Sequence, residues 1–97
     1  PPPPVVLVSL GEDALRANWI LARALRRRGV AVRTDLEPRS MKAQMRAANR
    51  LGARTVYIRG DAELEKGVLL RKDMDGGAQE EIGEDALLRE SNHNQRG

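Results

Sequence analysis

Arg39, Lys42, Arg46 and Arg50 follow one another at intervals of three, four and four, with Ser40 directly after the first. Residues three and four apart are neighbours on a helix, so this spacing gathers four cations on one face. Serine is a preferred helix N-cap, and the free N–H groups of a helix start attract anions. Such a group can hold a phosphate backbone and leave polar side chains to read unstacked bases. The same spacing also describes a solvated helix face, and the residues by themselves leave both readings open. Arg16, Arg23 and Arg27 form a second series, at intervals of seven and four, that reads as a solvated mid-helix stripe. Glu63 and Glu65 sit among the acids after Gly60, where a carboxylate serves solubility or accepts from a base amino group.

Catalytic chemistry finds little material. The first apolar run ends in Ser9-Leu10-Gly11-Glu12-Asp13, one glycine followed by two acids. A dinucleotide fingerprint needs three spaced glycines, and a phosphate-gripping loop needs a glycine-rich turn closed by Lys and Ser or Thr. Neither pattern occurs, and Glu12 with Asp13 would repel a phosphate. Ser9 lacks the flanking glycines of a nucleophile elbow. The single histidine, His93, supports neither a triad nor a multi-histidine metal site, and cysteine is absent. No catalytic residue, metal ligand or cofactor is therefore expected within these residues. The lack of cysteine is compatible with a reducing cytosol.

The elements that must position the basic residues alternate. Val5 to Leu10 is an apolar run that predicts a strand buried on both faces. Ala14 to Arg28 has helical periodicity, with Ala14, Leu21, Ala22 and Leu25 on one side, flanked by Leu15 and Trp19, and Gly29 as its stop. Trp19 reads as a core or interface residue. Val30 to Thr34 predicts a second strand, and Asp35 to Arg39 a loop. Ser40 predicts the N-cap of a helix running to about Leu51, with Met41, Met45, Ala48 and Leu51 as its apolar stripe. Arg54 to Arg59, Gly67 to Asp73 and Ala78 to Ile82 predict three further strands, the last two joined by the Asp75-Gly76-Gly77 turn. A short helical turn is expected between Gly60 and Lys66, and a last helix from Asp85. The order implies an α/β fold: a mixed five-stranded sheet, parallel βαβαβ followed by an antiparallel hairpin, with helices packed on it.

At 97 residues there is room for one core. Residues 1–4, all proline, predict a linker, residues 5–90 the folded domain, and residues 91–97 a disordered tail. The hydrophobic fraction of 40% beside a charged fraction of 32% suits a soluble globular domain. No apolar stretch is long enough to span a membrane. Net charge is +3, carried mostly by arginine, whose planar fork suits phosphate and base edges.

Four segments add a resemblance. They are Val5-Val6-Leu7-Val8-Ser9-Leu10-Gly11-Glu12, leading to a helix that ends Leu25-Arg26-Arg27-Arg28-Gly29-Val30, then Val32-Arg33-Thr34-Asp35-Leu36, then Arg39-Ser40-Met41-Lys42-Ala43-Gln44-Met45 with Ala48 to Arg54, and finally Ile58 to Leu64, Gly67-Val68, Lys72-Asp73 and Gln79-Glu80-Glu81-Ile82. In that order and spacing, the run from Val5 to Ile82 resembles the anticodon-binding domain of class II aminoacyl-tRNA synthetases. The closing Gln79-Glu80-Glu81 after a glycine-containing turn points to the histidine-specific version. Ser9, where the family often has proline, Trp19, and Glu37-Pro38 in place of a glycine-containing turn depart from the pattern.

The resemblance implies recognition of the tRNA-His anticodon loop, with Arg39, Ser40, Lys42, Gln44 and Arg46 where the second helix meets the loop. Glu63 and Arg71 match base-reading positions of the threonine relatives, Arg71 after a one-residue gap. The parent implied is a cytoplasmic, homodimeric histidine–tRNA ligase whose catalytic domain uses ATP with Mg. That catalytic domain is then a second partner, and the isolated domain would be monomeric. The alternative is a regulatory or protein-interaction module derived from a synthetase-like paralogue, using the same surface without RNA.

Overall fold

A computed structural model describes the backbone of residues 2–96 and the side chains of residues 2–92. In chain order the elements are β1 (Val5–Leu10), α1 (Glu12–Arg27), β2 (Val32–Thr34), α2 (Met41–Arg50), β3 (Thr55–Gly60), α3 (Asp61–Lys66), β4 (Val68–Asp73), β5 (Gln79–Gly83) and α4 (Glu84–Arg96). The sheet runs β2-β1-β3-β4-β5. β1 is parallel to β2 and β3, whereas β3–β4 and β4–β5 are antiparallel, so the expected mixed sheet is the one found.

Period-two alternation along the strands divides the apolar residues between two faces. Leu7, Val32, Tyr57, Leu69 and Ile82 pack with Leu21, Ala22 and Leu25 of α1 and Leu87 of α4. Val6, Val8, Val56 and Ile58 pack on the other face with Ala48 of α2 and Ala53, bordered by Met45 and Leu51. β1 and β3 contribute to both clusters, which is why each reads as a continuous apolar run.

Most element boundaries shift by one or two residues from the sequence expectation, and two of the differences bear on the packing. β2 starts at Val32 rather than Val30, because Gly29 turns the chain at φ 82° and only Ala31 O, accepting from Val5 N at 3.0 Å, precedes the ladder. The second lies at the end of the domain, which was expected at residue 90. Helix α4 extends to Arg96, and Ser91 is buried with its Oγ donating to Leu87 O at 2.9 Å. Gly97 lies outside the described residues.

Three buried polar side chains were not anticipated: Asn18, Gln44 and Arg59. Pairing between β1 and β2 ends at Leu7 opposite Thr34, so Ser9 has no strand partner on that side. The Gln44 carboxamide stands in for one. Its Oε1 accepts from Ser9 N at 2.9 Å, and its Nε2 donates to Ser9 O at 2.8 Å and to Arg39 O at 2.9 Å. On the other face Asn18 Nδ2 donates to Ser9 Oγ at 2.8 Å, while Asn18 Oδ1 accepts from Arg59 Nε at 3.1 Å and Nη2 at 2.8 Å. Arg59 Nη1 reaches Glu84 Oε1 at 3.0 Å, at the first residue of α4.

Asn18→Ala leaves two guanidinium donors of a buried arginine without an acceptor. The expected loss of stability is about 2–4 kcal/mol. Urea denaturation should show this as a lower midpoint at an unchanged slope.

Candidate nucleic-acid interface

The loop after β2 and the start of α2 bring the expected cations together. Ser40 takes the extended conformation of an N-cap, φ −66° and ψ 155°, and its Oγ accepts from Ala43 N at 3.1 Å. Arg39 precedes it, half-exposed, with Nε 3.6 Å from Asp35 Oδ1. Lys42, Arg46 and Arg50 are exposed on the outer side of α2, and none has an ion-pair partner among the described residues. Unpaired Lys42 in the first turn of α2 and Arg46 one turn on form an anion-attracting surface, and Arg50 extends it to the helix end.

The loop carrying Arg39 is held from two directions. Gln44 Nε2 binds Arg39 O, and Trp19 Nε1 donates to Asp35 O at 2.8 Å. Trp19 is 38% exposed, neither a core residue nor a free aromatic platform. Its polar edge ties α1 to the loop.

Other expected site residues lie elsewhere. Gln44 is 4% exposed and its carboxamide is committed to Ser9 and Arg39, so it faces the sheet and not an incoming ligand. Its position one turn after the cap, between Met41, Met45 and Ala48 on the apolar stripe, carries the signal of this burial. Asn18 likewise lies on the stripe of Ala14, Leu21, Ala22 and Leu25. Glu63 is half-buried, its Oε1 accepting from Gly60 N at 2.8 Å to close the start of α3. Gly60 leaves room for this carboxylate, which a Cβ there would meet at 3.3 Å.

Arg71 alternates with Leu69, which puts it on the sheet face covered by α1 and α4, opposite α2. It is held by Glu80 Oε1 at 2.6 Å and by Glu90 at 2.8 Å. The hydrogen bond to Glu80 raises the Arg71 pKa above its ordinary value, against the opposing effect of burial, and bonding to Tyr57 adds to the rise. Burial raises the Tyr57 phenol in turn. Tyr57, Arg71 and Glu80 line a cleft of about 430 Å³ with Thr55, Asp73 and Gln79. The predicted site thus divides: Arg39, Ser40, Lys42 and Arg46 come together, whereas Gln44 and Glu63 serve the fold and Arg71 is neutralised on the far face.

The start of α1 does not suit a phosphate. Gly11 has φ 108°, and a Cβ there would meet Asp61 Oδ1 at 3.2 Å. Asp13, Asp61 and Glu65 surround the adjoining hollow.

The mixed β2-β1-β3-β4-β5 sheet with an exposed, capped, cationic α2 defines a small α/β domain. Its family is shown by comparison: residues 4–91 match the model of the anticodon binding domain, and the chain belongs to that family. It is 40% identical over 81 residues to a histidine–tRNA ligase of Thermotoga petrophila, covering 84% of this chain and 19% of that one. It is 44% identical over 81 residues to histidine–tRNA ligase 2 of Bacillus cereus, with the same coverage. The chain therefore spans about a fifth of the length of these curated relatives. Among solved structures, S. aureus histidyl-tRNA synthetase superposes with a TM-score of 0.83 at 36% identity, covering 90% of this chain and 25% of that one. The RNA binding domain of threonyl-tRNA synthetase from Cryptosporidium parvum superposes with a TM-score of 0.82 at 20% identity, covering 94% and 23%, a likeness of fold.

Two substitutions separate cap from strand substitute. Ser40→Ala is expected to cost about 1 kcal/mol, the usual value of an N-cap. Gln44→Ala uncovers both backbone groups of Ser9 and should cost more, about 2–4 kcal/mol. Thermal unfolding of the two variants side by side checks the order.

Proposed function

We propose that this domain binds the anticodon loop of tRNA-His as part of a histidine–tRNA ligase. The observation that carries the proposal is the unpaired cationic surface of Lys42 and Arg46 on α2, continued by Arg39 in the tethered loop. Arginine and lysine would hold backbone phosphates at the capped end of α2, and unstacked bases would lie over the polar groups beside them. The identities to histidine–tRNA ligases support the choice of tRNA. Gln44 and Glu63 take no direct part in this reading.

The catalytic domain of the ligase is the second partner in this proposal, and ATP with Mg belongs to that domain. A homodimeric, cytoplasmic parent completes the reading. No helix among the described residues is long and apolar enough to cross a membrane.

A titration of the 97-residue domain with a tRNA-His anticodon stem-loop, beside a control with a substituted anticodon, tests the proposal at two salt concentrations. The cognate loop should bind more tightly, and Arg39→Ala or Arg46→Ala should each weaken it about threefold to tenfold and reduce the salt slope by about one. Equal or absent binding to both loops would overturn the proposal in favour of a protein-interaction role.

A further inference from the structure

Charge is divided between the two halves of this chain. Residues 1–59 hold 12 Lys and Arg against 4 Asp and Glu, whereas residues 60–97 hold 5 against 10. The sheet order turns this division in sequence into a division in space, since β2 and β1 come from the first half and β4 and β5 from the second. The positive side ends at β2, a three-residue edge strand paired only with β1.

Two hydrogen bonds fix one flank of α1 against that edge. Arg26 Nη2 donates to Val32 O at 2.9 Å, and Trp19 Nε1 donates to Asp35 O at 2.8 Å. Residues 19, 23 and 26 share one side of a helix, so Arg23 stands between these contacts. It is exposed and has no ion-pair or hydrogen-bond partner among the described residues. Arg33 follows buried Val32 on β2 and so points to the opposite face, where it borders a crevice with Ala47 of α2 and Leu51 just after it. It too is exposed and unpartnered. Arg23, Arg26 and Arg33 therefore flank the β2 edge from both layers, and Trp19 joins this strip to the loop that bears Arg39. Arg16, on the same side of α1, is paired with Asp13 at 2.9 Å and adds less charge.

We infer that the β2 edge is a second RNA contact, a track for the sugar–phosphate backbone of the base-paired stem next to the loop held by α2. The inference rests on the anticodon reading above. Along α1, the seven steps from Trp19 to Arg26 rise about 10 Å, the length of about three nucleotides of one duplex strand. Guanidinium groups fork onto phosphate oxygens, and paired RNA is contacted through its backbone because its deep groove is closed to side chains. Such contacts position the RNA without reading its sequence. The acidic β4–β5 side repels the same backbone and orients the stem towards β2.

The test compares two probes on the 97-residue domain: the anticodon loop on its intact stem, and the loop sequence alone as a single strand. The double variant Arg23→Glu with Arg33→Glu should bind the stem-loop about tenfold more weakly, with a salt slope lower by one or two, and should bind the single strand within about twofold of the unsubstituted domain. Arg23→Lys with Arg33→Lys keeps both charges and should restore stem-loop binding to within about threefold, which separates charge from fold. Arg39→Ala should weaken both probes. Unchanged stem-loop binding by the glutamate variant, with Arg39→Ala still damaging, would overturn the track and leave the loop reading standing. Absence of binding by the unsubstituted domain would overturn both.

Discussion

The backbone of Ser9 is the point on which the arrangement of this domain depends. β2 is too short to pair with the end of β1, so the Ser9 N–H and C=O would be buried without partners. Each such group costs about 1–3 kcal/mol when left unpaired. One side chain from α2 satisfies both, and the Ser9 hydroxyl passes the network through the sheet to Asn18, Arg59 and Glu84. Three helices are thereby held by hydrogen bonds whose geometry is directional, where apolar packing alone would tolerate some rotation.

That constraint sets the exposed cationic surface of α2. With Gln44 locked inward, residues two positions away on either side, Lys42 and Arg46, are carried to the opposite side of α2 and into solvent. The same carboxamide holds Arg39 O, so the loop and the helix are oriented together. Trp19 adds the third tether at Asp35. Cations that would otherwise be spread over a mobile connection are held on one pre-organised face, which lowers the entropic cost of binding.

Charge elsewhere is arranged to different effect. Arg59 is 1% exposed and acts wholly inside the fold. Arg71 is closed off by Glu80 and Glu90, and Lys66 by Glu81, whose hydrogen bond raises the lysine pKa. Lys66 and Arg71 of the second half are thus paired, while Lys42, Arg46, Arg23 and Arg33 of the first half stay open. The small net charge conceals a domain with one attractive and one repulsive side.

The sequence by itself determined the order and type of the elements. Apolar runs at β1 and β3, the helical stripes, the Ser40 cap and the Asp75-Gly76-Gly77 turn are local signals, and local backbone preference and solvent exclusion act on them directly. Lys42 and Arg46 were legible for the same reason, since helical spacing alone puts them on one face, whereas Arg39 lies in the loop before the cap and is placed by Gln44 and Trp19. Tertiary structure alone decided which polar residues would be consumed by the fold. Gln44, Glu63 and Arg71 have the chemistry of base-reading groups, but their partners lie at Ser9, Gly60, Glu80 and Glu90. Asn18 and Arg59 are 41 residues apart and meet only when α1 packs across β3. Whether a polar side chain faces a ligand or a neighbouring strand depends on where pairing between strands stops, and that is set by chain segments distant in sequence.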